Sequence, residues 1–204
     1  MTNAPHASRY VLSFTSGSLL TREALITAPV YLREHDWAET RRLLEEDNLL
    51  QARTASTGQR TTREVVQRLA VLSDDELELL IEATSSERSH LMWAAACRRY
   101  ELIGEFAQEV VRERYLVLTP MLSHEDFDSF VRGKALWHEE LAELKDSTLK
   151  KLRSNVFRML QEAELLSDDG RILPAVLSER VTAALGDRSP SDLRFFPANQ
   201  QING

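Results

Sequence analysis

Apolar residues recur along most of this chain at the 3.6-residue spacing of amphipathic helices, and the polar runs between them read as turns. The clearest stretch is Ser147 to Ala163, where Leu149, Leu152, Val156, Met159, Leu160 and Ala163 fall on one stripe at ~100° per residue. Upstream, a first helix starts near Ser18 or Thr21 and runs through Ile26, and Pro29 complicates its continuation. Asp36 is an N-cap for a helix over Trp37 to Glu46, with Trp37, Leu43 and Leu44 on its inner side and Asp47-Asn48 as its stop. Leu49 to Thr62 is rich in Thr, Ser, Gln and Arg around Gly58 and reads as a small hairpin or an exposed loop. A helix then covers Thr62 to Leu72, and Ser73 with Glu76 forms a capping box that opens another over Asp74 to Ala83. The longest helix runs from Ser86 to Tyr115, with Leu91, Ala95, Leu102, Phe106 and Val110 inward.

The last third has a recognisable order. Ser123 caps a helix through Phe127, Phe130 and Val131, and a further helix includes Ala135, Leu136, Trp137, Leu141 and Leu144. The Ser147 stretch is capped by Asp146 or Ser147. Asp168-Asp169-Gly170 then separates two short apolar runs, which is a hairpin signal. Three helices followed by a hairpin is the order of a winged helix, a variant of helix-turn-helix. A short helix over Leu177 to Leu185 follows, and the chain from Asp187 on reads as a loose tail pinned by Phe195 and Phe196. The expected fold is therefore mainly α: a helical bundle with helix-turn-helix and winged-helix elements and a small β-hairpin wing near the C-terminus. Residues 9–118 would form an N-terminal helical domain with a helix-turn-helix-like part. Residues 119–196 would form a winged-helix-like domain, with 1–8 and 197–204 as loose termini.

Composition agrees with a folded helical chain. Of 204 residues 43% are hydrophobic and 28% charged, and Gly (7) and Pro (6) are too sparse for a turn-rich β fold. The longest apolar run, Leu91 to Cys97, is far short of the ~20 residues a membrane span needs. The one cysteine, Cys97, has no partner for an internal disulfide, and Met1 to Arg9 carries no apolar signal core. Together these lead to the expectation of a cytoplasmic protein without membrane contact.

The net charge of −7 argues against nucleic acid until it is resolved along the chain. Ala52 to Arg68 holds Arg53, Arg60, Arg63 and Arg68 against Glu64, and Lys145 to Arg158 holds Lys145, Lys150, Lys151, Arg153 and Arg158 against Asp146. On the Ser147 helix, Lys150, Lys151, Ser154, Arg158 and Gln161 lie opposite the apolar stripe. Recognition helices present such a face to the major groove. Arg171 on the hairpin would sit where a wing touches phosphate. The alternative is a solvated helix face that is basic by chance. Arg53, Arg60 and Arg63 could grip phosphates from a flexible loop, or that loop could be merely solvated or dock an acidic partner.

Catalysis has little support. His6, His35, His90, His124 and His138 are scattered, and His138-Glu139-Glu140 lacks the second histidine of a zinc motif. The glycines form no phosphate-binding loop. Cys97 reads as a small buried hydrophobe, and Trp37, Trp93 and Trp137 read as core residues. No metal, cofactor or small-molecule substrate is expected, and no enzyme activity.

Several segments, taken in order, resemble one family. They are Tyr10 to Leu20 (YVLSFTSGSLL), Asp36-Trp37, Asn48 to Thr54 (NLLQART), Arg68-Leu69, Leu91 to Tyr100 (LMWAAACRRY), Phe106 to Glu109, Thr148 to Leu152 (TLKKL) and Phe157 to Leu166 (FRMLQEAELL). The chain resembles the BrxA family, small accessory proteins of bacterial BREX phage-defence systems, over roughly Tyr10 to Phe196. No single motif is diagnostic; the ordered set carries the resemblance. It implies a cytoplasmic helix-turn-helix protein that binds double-stranded DNA beside a BREX methyltransferase, an ATPase and other components. The family has also been compared with the antitermination factor NusB, which would imply RNA. Winged helices often have E-A-G-L at the end of the recognition helix, where this chain has Glu162-Ala163-Glu164-Leu165. The leading expectation is a DNA-tethering protein. An assembly subunit without DNA contact and a NusB-like RNA binder are the alternatives.

Overall fold

A helix through the middle of the protein organises the rest. Helix α5 (Ser85–Arg99) begins with a capping box in which Thr84 and Glu87 exchange side-chain and backbone hydrogen bonds. Its residues Leu91 to Cys97 are buried without interruption, as expected of a helix packed on all sides. Burial also pushes the Cys97 thiol pKa up, so Cys97 stays a packing residue. The computed structural model describes residues 9–14 and 16–198, and these are mainly helical. The expected leader Met1 to Ser8 lies outside them.

In front of α5 pack α1 (Thr21–Glu34), α2 (Trp37–Glu46), α3 (Ala55–Leu69) and α4 (Asp74–Glu82), with α2 and α3 both against α1. The caps at Asp36 and Ser73 form as the sequence indicates. Two expectations fail here. Helix α1 continues through Pro29, whose ring is on the exposed side, where water can satisfy the carbonyl left without a donor. The Arg/Ser/Thr stretch from Leu49 is a loop only through Thr54 and is helix from Ala55 on. Thr54 accepts a hydrogen bond from the Thr57 amide and starts α3 seven residues before Thr62, despite the cost of Gly58. Burial of Thr62, Val65, Val66 and Leu69 on its inner face holds the helix down.

The long helix expected over Ser86 to Tyr115 breaks at Tyr100, which adopts φ −120° and ψ 95°. Its buried ring packs 5.2 Å from Phe14. The chain resumes as α6 (Glu101–Phe106), a π-helical segment over Ala107–Arg112 and α7 (Glu113–Leu116). Apolar spacing alone did not reveal this break, because helical periodicity continues on both sides of it.

The C-terminal third contains α8 (His124–Lys134), α9 (Glu139–Ala142), α10 (Asp146–Glu162) and α11 (Glu179–Gly186). The helix expected over Ala135 to Leu144 shrinks to the single turn of α9, and Trp137, expected in the core, stands 81% exposed. After α10 the chain reverses at Gly170 (φ 84°), where a Cβ would come 2.9 Å from the Leu122 carbonyl oxygen. Residues 165–167, 171–173 and 120–122 lie side by side through Ser167 N to Arg171 O (2.9 Å) and Leu122 N to Gly170 O (2.8 Å). Pairing there amounts to two isolated antiparallel bridges, Met121 with Arg171 and Leu166 with Ile172, and no strand forms among the described residues. The tail from Asp187 is not loose as far as Ala198, and the rest of the expected loose terminus, 199–204, lies outside the described residues. The tail forms a 3-10 turn (Asp192–Phe195), buries Phe195 and Phe196, and receives the Trp93 indole N–H on the Phe195 carbonyl at 3.1 Å. One hydrophobic cluster runs from Tyr10 to Phe196.

Candidate nucleic-acid interface

Helix α10 orients the leading candidates. Leu152, Val156, Met159, Leu160 and Ala163 are buried and Leu149 is half-buried, so the expected stripe faces the core. Lys150, Lys151, Ser154, Arg158 and Gln161 are consequently exposed together on the other side. The Ser154 hydroxyl donates to the Lys150 carbonyl at 2.8 Å, and Arg158 Nε reaches Glu162 Oε1 at 3.1 Å in a solvent-facing pair. Such a pair holds the guanidinium weakly and leaves it able to exchange partners. Arg153 is different. It turns inward onto Asp128 of α8 and belongs to the scaffold.

Both flanks of the α10 face are built by contacts that periodicity does not reveal. On one flank, Phe157 packs edge-on against His124 at 4.9 Å. A groove there runs to the turn through Leu122, Leu166, Asp168 and Asp169. Arg171 is exposed on that turn, and Asp168 and Asp169 just before it are exposed as well. On the other flank, residues 14 and 16–19 lie along α10 as a strap. The Asn155 amide donates to the Phe14 carbonyl at 2.9 Å, and Glu162 accepts from the Leu19 amide (2.7 Å) and the Ser18 hydroxyl (3.1 Å). Gly17 permits this approach, since a Cβ there would lie 2.7 Å from the Asn155 side-chain oxygen.

The same strap reaches α3. Glu64 accepts from the Ser16 amide at 3.0 Å, and Arg68 donates to the Ser18 carbonyl at 2.6 Å and to Glu64 at 2.7 Å. Arg68 is fully buried, so it leaves the basic patch in which its sequence position had placed it. Arg60 and Arg63 are exposed on α3, and Arg53 is exposed just ahead of its N-cap. These three sit on or beside an ordered helix, not on the flexible loop expected. Strap contacts to Glu64 and Glu162 thus tie the α3 and α10 surfaces to each other. Among the described residues no cluster of three or more His, Cys, Asp or Glu could hold a metal ion.

Fold and site together define a mainly helical protein that displays cations on ordered helix faces, and no helix among the described residues is long and apolar enough to cross a membrane. The BrxA family model matches residues 8–189, and the chain belongs to the BrxA family. It is 26% identical over 147 residues to a BREX protein BrxA of Escherichia coli O9:H4 (strain HS), covering 72% of this chain and 69% of that one. It is also 26% identical over 160 residues to a BREX protein BrxA of Paramagnetospirillum magneticum (strain ATCC 700264 / AMB-1), covering 78% and 80%. A crystal structure of an uncharacterized protein from Magnetospirillum magneticum has the same fold, with a TM-score of 0.77 and 23% identity over 92% of this chain and 97% of the other.

Proposed function

We propose that this protein is a double-stranded DNA-binding accessory subunit of a BREX phage-defence system, acting in the cytoplasm without catalysis of its own. It would position partner BREX proteins, a methyltransferase and an ATPase among them, on DNA. The observation that carries the reading is the outer face of α10, where Lys150, Lys151 and Arg158 are exposed around Ser154 while the opposite stripe is buried. The order of α8, α9, α10 and a bridged turn bearing Arg171 is compatible with a winged helix, with α10 as the helix that enters the groove. Arg53, Arg60 and Arg63 supply a second set of phosphate contacts. Asp168 and Asp169 at the turn keep acid beside the first set, so affinity is modest and rests on charge.

Binding to a labelled duplex of random sequence tests this directly. With three or four phosphates neutralised, log Kd should rise with log salt at a slope of about 3 to 4. A salt-independent or undetectable interaction at low ionic strength contradicts the proposal.

A further inference from the structure

The turn between α8 and α9 presents two large apolar side chains to solvent, Leu136 at 78% and Trp137 at 81% exposure. A tryptophan left this open forgoes one of the largest burial gains available to any side chain. The turn is nonetheless well fixed. The Trp137 and His138 amides donate to the Lys134 carbonyl at 3.0 and 3.1 Å. The His138 ring packs at a tilt on Tyr10 at 4.1 Å, and the Tyr10 hydroxyl donates to Glu105 at 2.6 Å. An apolar anchor on a preformed turn costs little entropy to dock, which is the arrangement of an interface hot spot.

The surroundings are acidic. Lys134 is shared between Glu105 (2.5 Å) and Glu109 (2.7 Å), two carboxylates to one ammonium. Arg132 is neutralised by Glu125 at 2.5 Å. Glu139 and Glu143, on and just after α9, add two exposed carboxylates. This rim repels phosphate, so the turn suits neither DNA nor an anionic lipid surface.

We propose that Leu136 and Trp137 anchor a protein–protein interface whose partner is a different protein offering an apolar socket rimmed by lysine and arginine. The acidic rim steers that basic surface, and the tryptophan holds it. The inference stands on this turn alone and does not depend on DNA binding.

The test places the photo-crosslinker p-benzoylphenylalanine at Trp137 in the full chain, in its native host, with the same replacement at exposed Val176 as control. The expected result is a nuclease-resistant adduct with one protein from position 137 and not from 176. Its crosslinked peptide should be rich in lysine and arginine, and Glu139→Lys with Glu143→Lys should cut the yield at least tenfold. With that partner purified, Trp137→Ala should weaken binding about thirtyfold or more, while its thermal melt matches wild type. Adducts with a second copy of this chain or with nucleic acid, an adduct indifferent to the charge reversal, or no adduct would each overturn the proposal.

Discussion

The interior around α5 and the outer face of α10 both carry arginines, and they hold them in opposite ways. Arg98 is 8% exposed and spans Glu76 (2.5 Å) and Asp192 (2.5 Å), themselves 5% and 2% exposed, so that α4, α5 and the C-terminal turn meet at one guanidinium. Arg158 is 66% exposed and keeps one loose contact with Glu162. A buried arginine with full partners is a structural cross-brace, because removing it strands carboxylates that water cannot reach. An exposed one contributes little to folding and remains free to meet a ligand. Charge counted along the chain does not distinguish the two, and only the second kind contributes to the field a partner feels.

The largest expected effect is therefore inside. Arg98→Ala leaves Glu76 and Asp192 without their main cation and should cost about 3–5 kcal/mol of folding stability, read from urea denaturation. Arg158→Ala should move the same midpoint hardly at all. A small loss for Arg98→Ala would mean that Arg98 is not a structural cross-brace.

Acid should reveal the interior network next. Burial pushes the Glu76 carboxyl pKa up, and hydrogen bonds from Arg98 and the Ser73 amide outweigh it, so the group lies below the ordinary carboxylate range. Because the unfolded chain then binds the proton more readily, this stabilisation is complete above the ordinary value of about 4.3 and is lost as pH falls below it. Burial likewise lowers the pKa of His90, whose Nδ1 has no hydrogen-bond partner among the described residues. Its share is lost as pH falls below about 6.5, a window above that of Glu76. Denaturation midpoints from pH 7.5 to 3 should fall in two windows. His90→Gln should erase the upper one and Glu76→Gln the lower.

The smallest effect is at the end of α10. Glu164 adopts φ 59°, the left-handed conformation that glycine takes at no steric cost, and its carboxylate accepts one exposed hydrogen bond from Ser86 at 2.8 Å. Glu164→Gly should raise stability by up to about 1 kcal/mol, measured by thermal melting. A clear loss would mean that the Ser86 contact outweighs the backbone strain.

These contrasts also show where the sequence was informative. Helix α10 was legible because six apolar positions over more than four turns leave one orientation open to it, and its polar face follows. The capping boxes at Ser73 and Thr84 are local devices, and Ser73 with Glu76 could be read directly. The α3 start was hidden because Thr, Ser and Gly around Arg53 suit a turn as well as a cap, and distant packing decides between them. Leu136 and Trp137 were misread because ten residues of mixed polarity fit a helical stripe by chance. Arg68 was counted as surface charge because its partners, Ser16 and Ser18, are some fifty positions away. Asn155 and Glu162, which hold the strap to α10, left no periodic trace at all. What was legible depended on neighbours within a turn or two, and what was missed depended on contacts across the fold.

Contact between α10 and DNA can be read from fluorescence anisotropy of a labelled duplex with Lys150→Ala/Lys151→Ala/Arg158→Ala beside Arg53→Ala/Arg60→Ala/Arg63→Ala and wild type. All three changed side chains in each variant are exposed, so circular dichroism should show both variants folded as wild type is. Wild-type binding should be salt-sensitive, nearly lost in the α10 variant and partly lost in the α3 variant. Undiminished binding by a folded α10 variant would contradict that contact.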